Sequence, residues 1–134
     1  MKRDLNLFME DILENINKIE NFSKNLSKQE LLKDELKQYA IIRAIEIIGE
    51  AVKNIPKNFR EKYSNIEWGK IAGMRDVITH GYFGIDLDAV WKVIEKDLPI
   101  LKKQILKIKE SRDFGPDALW FSRGVMFLIF KLIT

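Results

Sequence analysis

Apolar residues recur near the start of the chain at Leu5, Phe8, Met9, Ile12, Leu13, Ile16, Ile19 and Phe22. Steps of three, one and four place them on one face of an amphipathic helix. Polar residues interrupt the pattern at Ser23 to Asn25. Ser27 followed by Glu30 has the spacing of a capping box, in which the hydroxyl takes an orphan backbone N–H and the carboxylate reaches back to the cap. A second helical stretch is predicted from there to about Lys53. Its centre, Tyr39 to Glu50, is apolar around much of its circumference. Two arrangements fit that pattern equally: the central helix of a monomeric bundle, or a helix packed on its own bundle and on a second subunit.

Pro56 ends that helix or opens a short one from Lys57 to Tyr63, and Ile66-Glu67-Trp68 starts another that continues through Ile71, Met74, Val77 and Ile78. Gly81 and Gly84 mark a helix C-terminus and a turn. Asp86 is placed to cap a last core helix with apolar positions Val90, Ile94, Leu98, Leu101, Ile105 and Ile108. Pro99 falls inside it and should kink it or weaken one turn. No segment has the pattern of a strand and no repeat is present, so the predicted fold is all-α, an up-and-down bundle of four to five helices. That bundle spans residues 1–110. Residues 111–134 form an apolar C-terminal extension, turn-like from Ser111 to Asp117 and then strongly apolar, interrupted by Arg123 and Lys131. Its apolar part is shorter than the roughly 20 residues of a membrane-spanning helix. Docking on the bundle or on a partner is expected instead, with no membrane role.

Composition narrows the possibilities. A chain of 134 residues with 46% hydrophobic and 32% charged residues is neither disordered nor low in complexity. The lack of cysteine excludes disulfides, thiolate metal centres and thiol catalysis, and a single histidine excludes most histidine-rich metal sites. The N-terminus runs straight into charged helical sequence with no apolar leader, so a cytoplasmic location is expected. The net charge of +3 leans weakly toward anionic partners. Residues 92–109 carry Lys92, Lys96, Lys102, Lys103, Lys107 and Lys109 against Glu95 and Asp97, a pattern expected of a solvated lysine face.

Chemistry concentrates in Arg75-Asp76-Val77-Ile78-Thr79-His80-Gly81-Tyr82. Arg75 and His80 stand about 140° apart on an ideal helix, so they converge only if the helix ends near Gly81. Asp76 and His80 are four apart, and Asp76 could orient the imidazole. The same residues also suit a structural role, with His80 at a helix C-terminus, Arg75 bridging nearby carboxylates and Tyr82 in the core. Glu46 and Glu50, with Arg43 nearby, could form a carboxylate pair for a metal, but an Arg43–Glu46 ion pair is the simpler reading. A further expectation is that Arg43 and Glu46 line the same cleft as the Arg75 motif. Asp86 and Asp88 fit helix capping better than metal ligation.

The segment Trp68 to Asp86 closely resembles the HepT family of HEPN-domain proteins, as do Arg43 to Ala51 and Val90 to Pro99. Together the resemblance covers roughly residues 3–110. The motif R-x(4)-H-x-Y is filled by Arg75, His80 and Tyr82. The resemblance implies a HEPN-like helical homodimer acting as a metal-independent ribonuclease toxin on RNA, with no cofactor. It further implies an MntA-like nucleotidyltransferase antitoxin that transfers AMP onto Tyr82, and ribonuclease roles for Arg75 and His80.

These residues suit that chemistry. RNA is cut without metal when its 2′-OH attacks the neighbouring phosphate, which needs a base near neutral pH and fixed positive charge on the transition state. One chain offers one histidine, and a dimer would supply a second. AMP on Tyr82, two residues from His80, would bring charge and bulk into the site. A different class of function, a non-catalytic module binding a nucleotidyltransferase or nucleotides, would keep the same motif.

Overall fold

The computed structural model describes residues 4–79 and 84–111. The predicted extension beyond Ser111 lies outside them, as do His80 and Tyr82. Helix α1 spans Leu5–Ser23 and is capped by Asp4. Its apolar stripe buries Met9, Ile12, Leu13, Ile16 and Ile19, as the spacing predicts. Helix α2 spans Lys28–Lys33 and begins with the predicted capping box. The Glu30 N–H donates to Ser27 Oγ at 3.1 Å, and the Ser27 N–H donates to Glu30 Oε1 at 3.3 Å.

The predicted single helix up to Lys53 is in fact two. Asp34 leaves helical backbone at φ −110°, ψ 86°, ending α2 and capping α3, Glu35–Lys53. Its carboxylate accepts from the Lys37 N–H at 3.0 Å. A short polar side chain that can satisfy orphan donors favours a helix end over a helix middle. Helix α3 buries Ile41, Ile42, Ala44, Ile45, Ile48, Gly49, Ala51 and Val52. It packs on α1 along one side and on α5 and α6 along another, which covers the buried part of its apolar surface but leaves Leu36 and Tyr39 exposed.

Helix α4 spans Lys57–Lys62 and follows Pro56. The helix predicted from Ile66 to Ile78 is divided at Gly73 into α5, Trp68–Ala72, and α6, Met74–Ile78. The indole of Trp68 anchors this region, donating to the carbonyls of Tyr63 and Arg60 at 3.0 and 3.1 Å. Helix α6 stops at Ile78, three residues before Gly81, because Thr79 is already extended.

Asp86 caps α7, Leu87–Lys92, through the Ala89 N–H at 3.0 Å. Asp88 does not cap; it pairs with Lys28. A π-helical turn, Val93–Asp97, then joins α7 to α8, Leu98–Glu110. Pro99 cannot donate to the preceding turn, and that turn takes the wider register while the backbone stays helical. The core is closed by Leu98, Leu101, Ile105 and Ile108 of α8 packing toward α1, with Phe59, Ile66 and Trp68 at one end. Lys109 departs from the expected lysine face: it is only 3% exposed. The described residues form no strand, and among them no helix is long and apolar enough to cross a membrane.

Candidate active site

Helix α6 owes its position to a close approach between α3 and α5. A Cβ at Gly49 would lie 3.2 Å from the carbonyl oxygen of Ala72, so glycine lets the two backbones meet. Gly73 then redirects the chain, and α6 carries Arg75 on its outer side while Met74 and Ile78 enter the core. Past α6, the Asp86 N–H donates to the Ile78 carbonyl at 2.8 Å, and Thr79 and Ile85 form an isolated antiparallel bridge. The Thr79 hydroxyl donates to the Arg75 carbonyl at 2.9 Å. The chain is thus held together on both sides of residues 80–83.

The side chain of Arg75 is 57% exposed and is tied to α3. Its Nε lies 3.5 Å from Glu46 Oε1, and the other oxygen of Glu46 lies 3.4 Å from Arg43 Nη1. One carboxylate, 29% exposed, therefore joins two guanidiniums from two helices. The contact brings Arg43, Glu46 and Arg75 together. Glu50 pairs instead with Lys53 at 3.5 Å, so Glu46 and Glu50 are engaged with separate cations. Among the described residues no three potential ligands converge on a metal position. Asp76 is strongly exposed, with Arg75 Nη1 3.9 Å away. Its predicted partner His80 is outside the described residues.

The chemical consequence is directional. Glu46 engages the Nε edge of Arg75 and Asp76 lies beside Nη1, while the guanidinium stays more than half exposed, within reach of an anion such as a phosphate. Arg43, Glu46 and Glu50 continue a stripe that begins with Leu36 and Tyr39, spaced three and four along α3. Leu36 is 81% exposed and Tyr39 60%, and Val77 on α6 is 63% exposed. The motif reading located Arg75 and the ion pair, but not the Thr79 contact. Its signal was the four-residue step from Arg75 to Thr79, which lets a hydroxyl bond back along a helix.

A family model described as "Ribonuclease HepT-like" matches residues 12–108. A Methanocaldococcus jannaschii protein named "Putative RNase" is 46% identical over 107 residues, covering 80% of this chain and 88% of the relative. A Thermococcus cleftensis protein named "Probable ribonuclease HepT" is 43% identical over 110 residues, covering 82% of this chain and 100% of the relative. Another Methanocaldococcus jannaschii protein, named "Gamma-glutamylcyclotransferase and putative RNase", is 46% identical over 113 residues. That match covers 84% of this chain but only 51% of the relative, so the chain spans about half of that protein's length. No solved structure matches the chain significantly.

Proposed function

The chain belongs to the family of HepT-like ribonucleases, and from that premise we propose that it is the RNA-cleaving toxin of a toxin–antitoxin pair. The observation that carries this reading is the guanidinium of Arg75, fixed by Glu46 and still open to an anion, at the foot of the segment bearing His80 and Tyr82. Cleavage proceeds without metal. His80 takes the proton from a ribose 2′-OH as its oxygen bonds to the adjacent phosphorus. The P–O5′ bond breaks, leaving a 2′,3′-cyclic phosphate and a 5′-OH. Arg75 carries the charge that builds on the non-bridging oxygens. The leaving oxygen needs a proton, and His80 of a second copy supplies it in a homodimer. The exposed Leu36 and Tyr39, on the same stripe of α3 as Arg43 and Glu46, support that pairing.

Silencing belongs to the same proposal. A nucleotidyltransferase antitoxin moves AMP from ATP to the Tyr82 hydroxyl, releasing pyrophosphate. The new phosphodiester then competes with RNA for Arg75. Asp76 serves as an outer, supporting charge beside Arg75.

Incubation of the purified protein with mixed RNA in EDTA tests the reading, beside Arg75→Ala and His80→Ala variants. Cleavage by the parent and a loss of at least about 100-fold in each variant is expected. Equal cleavage by all three, or none by the parent, would refute it in favour of a module that binds without cutting.

A further inference from the structure

A groove runs between α8 and the segment from Tyr63 to Met74. It consists of two depressions, of about 320 and 370 Å³, joined through Asn65 and Gln104, which line both. The smaller one reaches Met74, the chain neighbour of Arg75, and is electrostatically occupied. Lys70 there lies 3.4 Å from both Glu67 and Asp97, which hold its ammonium charged and raise its pKa, Asp97 most strongly. The larger one is different. Lys103 and Lys107 line it, one helical turn apart and both exposed, and neither makes an ion pair among the described residues. Elsewhere on α8 the cations are committed: Lys102 lies 2.9 Å from Glu20, and Lys109 is buried. The uncompensated charge of α8 therefore collects on the wall of a concave site.

The rest of that wall suits nucleobases. Tyr63 contributes a half-buried ring with Lys62 Nζ 5.6 Å from its centroid. Asn65 and Gln104 contribute amides, and Gln104 Nε2 donates to the Asn65 carbonyl at 3.3 Å. Lysines that track phosphates beside an aromatic ring and amides that meet base edges are the elements of single-strand recognition.

We propose that the Tyr63–Lys103–Lys107 groove is a separate anchoring site for single-stranded RNA. The inference rests on the ribonuclease reading, and adds to it a way of holding long substrates away from the reacting phosphate. Lys103 and Lys107 take backbone phosphates, while Tyr63 stacks on a base.

The test compares the full chain with its Lys103→Glu/Lys107→Glu variant, on a fluorescent single strand of about 20 nucleotides and on a trinucleotide. Anisotropy in EDTA gives binding, and product formation gives kcat and KM. The variant should bind the long strand about tenfold more weakly. Its salt dependence should be shallower by about 1.4 in log–log slope, for two lost phosphate contacts. KM for the long RNA should rise, while kcat and trinucleotide cleavage stay unchanged. Equal affinity and equal slope in parent and variant would overturn the inference. A parent that binds the long RNA through these lysines yet cuts nothing would refute the ribonuclease reading alone. If RNA affinity is unchanged while the sedimentation mass shifts, or residues 112–134 become sensitive to trypsin, the groove holds protein and the inference is wrong.

Discussion

Glu46 acts on Arg75 by position. A guanidinium on a five-residue helix has many rotamers available, and the 3.5 Å contact to a carboxylate on the long α3 selects among them. Glu46→Gln keeps an acceptor and loses the charge. Its kcat on short RNA should fall about tenfold with little change in KM or in thermal stability, since the contacts are partly exposed. Steady-state kinetics check this, and unchanged kcat would remove Glu46 from the site. Lys109 concerns stability instead. Burial lowers its pKa from 10.5 to about 8, and the charge of Glu10 opposes the shift. The folded chain thus releases this proton at lower pH than the unfolded chain, and the ionised form costs stability below about pH 8. Stability from this group should rise by about 3 kcal/mol between about pH 8 and 10.5. Lys109→Met should remove that slope in denaturant titrations; a slope equal to the parent's would contradict the assignment.

At the scale of elements, the apolar period made α1, α3 and α8 legible, and capping chemistry made the starts of α2 and α7 legible. The breaks were harder to read. Asp34 and Gly73 each interrupt an apolar pattern that continues through them, because the residues on either side face one core. Gly49 had no visible purpose in sequence, since the Ala72 carbonyl it accommodates belongs to another helix. Gly49→Val should lower stability by about 1–3 kcal/mol through overpacking. It should also reduce cleavage beyond that loss, since α5 leads directly into α6, which carries Arg75. Denaturant unfolding alongside activity at a temperature where the variant is folded checks both. Parent-like values would show that α3 and α5 can part freely.

For the whole molecule, three long elements form a frame: α1, α3, and the run from α7 through the π turn to α8. The Arg75 site sits on its edge, where α6 meets α3. Arg75, Glu46 and Arg43 were readable as a group because helical spacing and the motif pointed to the same place. The lysines were not, because spacing along α8 does not reveal which of them meet Glu20, the core or a groove. The central claim is metal-independent cleavage by in-line attack of the 2′-OH. It is tested most directly by mapping the ends of a defined RNA cut in EDTA, beside the same sequence made with 2′-O-methyl ribose. The expected result is 2′,3′-cyclic phosphate and 5′-OH ends from the RNA and no cleavage of the methylated strand. Cleavage of both strands, or cleavage that appears only when a divalent cation is added, would contradict it.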